Sequence, residues 1–282
     1  MKEVVLIAGL SYAGLCLMVV FFQSRYVYYP QSRIDATPAL LGMNYEELFL
    51  TEGIRGKVHA WWISGAEPEA PAVLICHGNA GNIGNRIYLA KVFNDWGWHV
   101  LLFDYRGYGG SSGRPTEKGT YEDVMAAWQW LVTQQPQTGA RILYGRSLGG
   151  AVAAWLAARV DPDVLVIESS FTSALDMAKR MFPFLPARLL CRYDYNTLKY
   201  VSKAGCPVLI AHSPDDEMIP FEHGERLYAA VSGRRELVRL SGGHNDGGIE
   251  NNRVYQQRLK AFVEQVLLHA PQTGDGTPAD EL

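Results

Sequence analysis

The chain has 282 residues, 48% of them hydrophobic and 20% charged, a balance that excludes a disordered or collagen-like polymer. With 26 basic and 29 acidic residues its formal charge is −3, so no basic excess points to a nucleic-acid partner. The four cysteines, Cys16, Cys76, Cys191 and Cys206, form neither a CxxC pair nor a zinc spacing and are too scattered for a disulfide scaffold. The length permits one or two domains resting on a hydrophobic core.

Val4 to Phe22 is an uncharged run of 19 residues. As a helix it spans about 28 Å, close to the hydrocarbon thickness of a bilayer. Tyr26, Tyr28 and Tyr29 follow it, where amphipathic rings favour the headgroup zone. The run is apolar on every face, unlike a helix that packs on a soluble core. A cleaved signal peptide is the rival reading. Ser11-Tyr12-Ala13 matches a cleavage site weakly, apolar sequence continues past it, and Leu15 precedes Cys16 where a lipoprotein signal wants a small residue. We expect an uncleaved single-pass anchor over residues 1–30. Lys2 and the terminal amine before the run balance Arg25 and Arg33 after it, so no membrane side follows.

Beyond the anchor, Glu47–Thr51 and Lys57–Ser64 read as strands joined by a glycine turn, Gly53 to Gly56. Ala72–Cys76, Val100–Phe103, Arg141–Tyr144 and Val164–Ile167 read as buried strands, and Val208–Ala211 and Glu236–Leu240 continue the series. Helical patterns lie between them at Arg86–Trp96, Glu117–Val132, Leu148–Arg159, Phe221–Val231 and Ile249–Leu268. Apolar strands alternating with helices predict a mostly parallel sheet covered on both faces, an α/β fold. Ser169 to Pro207 breaks the alternation with a long apolar stretch that includes Met177, Phe182, Leu185 and Leu190, interrupted by Pro183 and Pro186. It reads as a short helical cap inserted at about 169–206; an ordinary long crossover is the alternative. The tail from Pro271 to Leu282 reads as disordered.

Gly145-Arg146-Ser147-Leu148-Gly149 matches G-x-S-x-G directly after an apolar strand and directly before an alanine-rich helix, the context of a nucleophile elbow. A glycine-rich turn with a capping serine is the plain alternative. Serine needs a base, and His244 lies in the glycine-rich Ser241-Gly242-Gly243-His244-Asn245-Asp246 between the last strand and last helix. His77 and His212 read as structural hydrogen-bonding groups, and His59, His99, His223 and His269 have no supporting context. The base needs an orienting carboxylate. Asp215 and Asp216 both follow the strand that ends at Ala211, and Glu168 ends another strand. An oxyanion needs two backbone donors. The N–H of Leu148 is one, and the loop His77-Gly78-Asn79-Ala80-Gly81-Asn82 offers Asn79 as the other, unless that loop is only a turn capped by Asn82 or Asn85. Asp104-Tyr105-Arg106 and the glycines after it lack the G-K-[ST] of a phosphate loop, so Asp104 and Arg106 read as scaffolding.

In order, HGNAGN, DYRGYGGSSG, GRSLGG, ESSFTS, HSPDDEMIP and GGHND resemble the α/β-hydrolase superfamily over roughly residues 40 to 268. Within it they look most like the bud-emergence-protein-like branch, with the α/β-hydrolase domain-containing protein 13 group and the related depalmitoylases. The N-terminal anchor also fits the protein 13 group. The resemblance implies an α/β-hydrolase domain over residues 31–270. It places the nucleophile on Ser147, the base on His244 and the oxyanion donors on Asn79 and Leu148. The acid falls on Asp216, because the family acid precedes two variable residues, then valine or isoleucine, often then proline, as in Glu217-Met218-Ile219-Pro220. The depalmitoylases carry an N-terminal cysteine cluster where this chain has only Cys16, which argues against their protein substrates.

The expected activity is that of a membrane-anchored serine hydrolase acting on carboxylic esters or thioesters, with the apolar cap and the anchor suggesting an acyl-chain substrate, a small molecule such as a lipid or an acylated protein. No metal or organic cofactor and no nucleic acid is expected. A peptidase or acyltransferase on the same residues, or a catalytically silent binding module on the same fold, are the alternatives.

Overall fold

The computed structural model describes residues 1–51 and 56–269. It begins with helix α1 (Lys2–Val27), of whose residues only Val19 is buried, and which is long and apolar enough to cross a bilayer. There follow β1 (Tyr29–Pro30), β2 (Tyr45–Leu50), β3 (Val58–Ile63), β4 (Ala72–Cys76), β5 (Ala80–Gly81), α2 (Ile87–Asp95) and β6 (His99–Phe103). Next are α3 (Glu117–Gln134), β7 (Arg141–Arg146), α4 (Leu148–Ala157) and β8 (Val164–Glu168). Three short helices, α5 (Ala174–Met181), α6 (Ala187–Leu190) and α7 (Thr197–Val201), occupy the long apolar stretch. The chain continues with β9 (Val208–His212), α8 (Phe221–Ala230), β10 (Arg235–Arg239) and α9 (Arg253–Leu268).

Among the described residues eight strands form one sheet in the order β10-β9-β8-β7-β4-β6-β3-β2, and β1 pairs with β5 in a separate parallel ribbon. The run from β10 to β6 is parallel; β3 and β2 complete it antiparallel. Side chains alternate across the pleat. Ala72, Leu74 and Cys76 join one core with residues of α3 and α4, while Val73 and Ile75 join a second core with residues of α2 and α9. Every residue of β4, β6, β8 and β9 is buried, which is why these strands read as unbroken apolar runs.

The differences from expectation have local causes. The helix predicted from Arg86 starts at Ile87, because Asn82 and Asn85 first close a capped 3-10 turn over Ile83–Arg86. The pattern over Ile249–Leu268 is divided at Asn252, whose side chain accepts from the Tyr255 N–H and starts α9 afresh. Strand β7 runs two residues beyond Tyr144, since Arg146 pairs in register with Glu168 of β8. Residues 52–55 of the expected glycine turn and the tail Pro271–Leu282 lie outside the described residues.

Candidate active site

Ser147, Asn79, Asp216 and His244 all follow the C-terminal ends of sheet strands, the edge where open parallel sheets place ligands. Ser147 sits between β7 and α4 with φ 55° and ψ −119°, a left-handed backbone that non-glycine residues rarely adopt. The surroundings hold it there. Its N–H donates to Glu168 O at 2.9 Å, and its carbonyl accepts from Gly150 N–H at 3.0 Å and from Ser170 Oγ at 2.8 Å. The flanking glycines are needed for closeness. A Cβ on Gly149 would overlap the Cys76 carbonyl, and one on Gly145 would overlap the Gly149 carbonyl. Helix α4 therefore starts hard against the end of β4.

The His244 ring lies between two groups. Its Nε2 is 3.1 Å from Ser147 Oγ and its Nδ1 is 2.8 Å from Asp216 Oδ2. The tautomer that satisfies both contacts carries its proton on Nδ1, donates to Asp216 and accepts from the serine hydroxyl. Asp216 Oδ1 accepts from the N–H groups of Met218 at 2.9 Å and Ile219 at 2.7 Å. Burial opposes ionisation of Asp216, but hydrogen bonds from His212, His244 and the Ile219 N–H outweigh it and hold the carboxyl well below the usual carboxylate range. Asp215, the neighbouring alternative, is exposed. Such an arrangement can take a proton from the Ser147 hydroxyl while a fixed negative charge stabilises the imidazolium that results.

Asn79 and Leu148 line the same cavity as Ser147 and His244. The loop after β4 is braced from three sides. Asn79 O accepts from Tyr29 N–H at 2.9 Å and from Tyr108 OH at 2.7 Å, and a Cβ on Gly78 would lie 3.6 Å from Ser147 Cβ. The Asn82 and Asn85 caps exist as well, so the turn and the cavity-lining role of Asn79 occur together.

Most of the other histidines and acids hold surrounding structure, although His212 also faces Asp216. His77 Nδ1 donates to Gly78 O at 2.6 Å, and its Nε2 is 3.5 Å from Asp104, which is buried and accepts from Ile83 N–H. His212 Nε2 donates to Ile219 O at 2.8 Å and lies 3.5 Å from Asp216 Oδ2. Arg106 pairs with Asp123 at 2.7 Å. Glu168 does not reach His244. It is fully buried, accepts from Tyr144 OH at 2.5 Å and lies 3.2 Å from Arg146 Nε. Burial pushes its carboxyl up, against the opposing pull of Arg146.

Two positioning groups escaped the motif reading. Arg146 Nη2 donates to His244 O at 3.0 Å and Nη1 to Glu250 at 2.7 Å, so the variable position of G-x-S-x-G ties the serine turn to the histidine loop. The register of Arg146 beside Glu168 is the signal that would have exposed it. Glu217 Oε2 accepts from His244 N–H at 3.0 Å.

Above Ser147 is an apolar cavity of about 220 Å³. Met177, Phe182 and Leu185 line it from the cap segment; Val19, Gln23 and Tyr26 line it from α1. The apolar N-terminal helix is thus a wall of the site, which its hydropathy alone did not indicate.

A family model described as the alpha/beta hydrolase fold matches residues 71–167. An alpha/beta hydrolase domain-containing protein of Arabidopsis thaliana is 32% identical, over 91% of this chain and 92% of that relative. A lysophosphatidylserine lipase of Danio rerio is 36% identical over 63% of this chain and 51% of its own length, so this chain spans about half of it. An esterase from Pyrococcus furiosus has the same fold, with a TM-score of 0.68 at 23% identity over 85% of this chain and 98% of that one. Sheet order, sharp serine turn and these likenesses agree: the chain belongs to the alpha/beta hydrolase family.

Proposed function

We propose that this protein is a membrane-anchored serine hydrolase that cleaves carboxylic esters or thioesters of acyl chains. The carrying observation is the Ser147–His244–Asp216 hydrogen-bonded chain at the floor of an apolar cavity. In this reading Ser147 Oγ attacks the acyl carbon while His244 Nε2 takes its proton. The ionised Asp216 fixes the ring and balances the imidazolium. The N–H groups of Leu148 and Asn79 hold the oxyanion, each worth about 3–4 kcal/mol of barrier. His244 returns the proton to the leaving alcohol or thiol. Water, deprotonated by His244, then splits the acyl-enzyme and restores Ser147.

Cavity lining by Met177, Phe182 and Leu185 supports an alkyl chain over a polar acyl group. The name of the Danio rerio relative points the same way, toward a lipid with one acyl chain. Helix α1 supplies the anchor in this proposal, and the motif order supports a place near the bud-emergence-protein-like branch.

The test is hydrolysis of p-nitrophenyl esters from acetate to palmitate by the full chain in detergent micelles, beside Ser147→Ala. Turnover lost in the variant, with a fluorophosphonate attached to Ser147 in the parent, is the expected result. Turnover that survives Ser147→Ala would overturn the proposal.

A further inference from the structure

The cap segment is bound to α1 through unusual partners. The Tyr12 hydroxyl donates to Phe184 O at 2.9 Å. Gln23 Nε2 donates to Leu190 O at 2.6 Å, and Gln23 Oε1 accepts from Arg192 N–H at 2.9 Å. Tyr26 and Phe182 meet edge to face at 5.5 Å. Two polar side chains in and beside the apolar run of α1 are therefore spent on main-chain groups of the cap. Tyr12 and Gln23 are 11 residues apart, about 16 Å along a helix, which matches one leaflet's share of a hydrocarbon core about 30 Å thick.

The cap tip is built for a medium without water. Phe184 is 87% exposed and Leu189 85%, although both are large and apolar. The N–H groups of Phe182, Leu185, Ala187, Leu189, Leu190 and Cys191 find carbonyls within the cap and Pro183 and Pro186 have none to satisfy, while those of Phe184 and Arg188 have no hydrogen-bond partner among the described residues. In hydrocarbon an unpaired main-chain group is costly, so a non-helical tip is favoured there when most of its N–H groups are paired in this way. Charge marks the upper boundary. Residues 174–192 carry one acid, Asp176, against Lys179, Arg180 and Arg192, which flank the tip, and Arg188 within it, whose long side chain can carry its charge back to the headgroup zone.

We infer that the tip of the cap, Phe182 to Leu190, is embedded in one leaflet of the bilayer beside α1, so that an acyl chain enters the cavity above Ser147 from the hydrocarbon side. This rests on the reading of α1 as the anchor and of the cavity as the acyl site. The occupant of the exposed face is lipid, because the face continues directly from a membrane-length helix and shares its hydrogen bonds.

The experiment uses the full chain in phosphatidylcholine vesicles. One sample carries phosphatidylcholine with a diazirine midway along an acyl chain, the other a water-soluble diazirine, and mass spectrometry maps the labels. The expected result is lipid label on peptides from both 4–22 and 182–190, with little aqueous label on the latter. Lipid label on 4–22 alone overturns the inference and leaves the anchored hydrolase standing. Lipid label on neither overturns both. A cap protected from both probes is covered by protein, which also overturns it.

A second measurement removes dependence on labelling. Phe184→Asp and Leu189→Asp, neither of which lines the cavity, should leave p-nitrophenyl acetate turnover unchanged. Hydrolysis of a long-chain ester held in the vesicle should fall about tenfold to a hundredfold. Equal losses on both substrates, or no loss on either, would overturn the inference.

Discussion

Two of the helices that line the cavity are held in opposite ways. Nine of the ten residues of α4, which follows Ser147, are buried, whereas α5 of the cap has none buried. Around α4 each backbone position is fixed by packing and by glycines with no room for a side chain. Around α5 only Ala174 and Met177 pack on the core, and the remaining ties include a capping serine, the Thr172–Asp176 hydrogen bond and ion pairs from Asp176 to Lys179 and Arg226. The contrast separates two duties. Under the proposed function, chemistry that needs atoms held within a few tenths of an ångström sits on the sheet edge, and accommodation of acyl chains of differing length, which needs a surface that repacks cheaply, sits on the cap.

The comparison breaks if changes at the sheet edge act selectively. Ser147→Ala should lower kcat by about 10⁴–10⁶-fold. The loss should be the same for acetate and palmitate esters, and a chain-dependent loss in the ester series would count against the division of duties. Arg146→Met should come next in size. It strands the fully buried Glu168 without its cation and releases the His244 loop, so unfolding in urea should show a loss of about 3–5 kcal/mol. Adding Glu168→Gln should return much of that loss; if the double variant is no more stable than the single, Glu168 is not the stranded charge.

The pH dependence of stability sharpens the same point. The Asp216 carboxyl is held below its ordinary value, so the unfolded chain binds the proton more readily than the folded one. Its contribution is complete above about pH 4, the ordinary aspartate range, and is lost as pH falls through the folded value. The parent should therefore lose stability below pH 4 more steeply than Asp216→Asn, as read from urea midpoints at each pH. Parallel curves would mean that the His244 and Ile219 contacts do not stabilise the charge. The smallest effect belongs to the cap. Leu185→Trp should shift the preference toward shorter esters by about fourfold to fifteenfold, the worth of one or two buried methylenes at about 0.8 kcal/mol each. An unchanged profile would move specificity away from the cap.

The sheet was legible because β4, β6, β8 and β9 are buried on both faces and leave continuous apolar runs between helical periods. The site loops were legible because each ends a strand with a short run of glycine or of chemically distinctive residues. What hydropathy could not give was partnership across the chain. Arg146 and Glu168 become neighbours only through strand register, and Gln23 meets Leu190 only through the path of the cap. The ribbon of β1 and β5 is two residues long on each side, too short for any periodicity to register.

That ribbon decides where the chain can be cut. Tyr29 N–H holds Asn79 O, Tyr28 OH pairs with Tyr195 OH at 2.7 Å, and both residues stand immediately after α1. A soluble fragment that begins at Gln31 discards both contacts and leaves the Asn79 loop with Tyr108 as its brace. One that begins at Tyr28 removes the whole apolar helix and keeps them. A preparation trimmed three residues too far would thus report a weakened enzyme and assign to the membrane a loss that belongs to a missing strand.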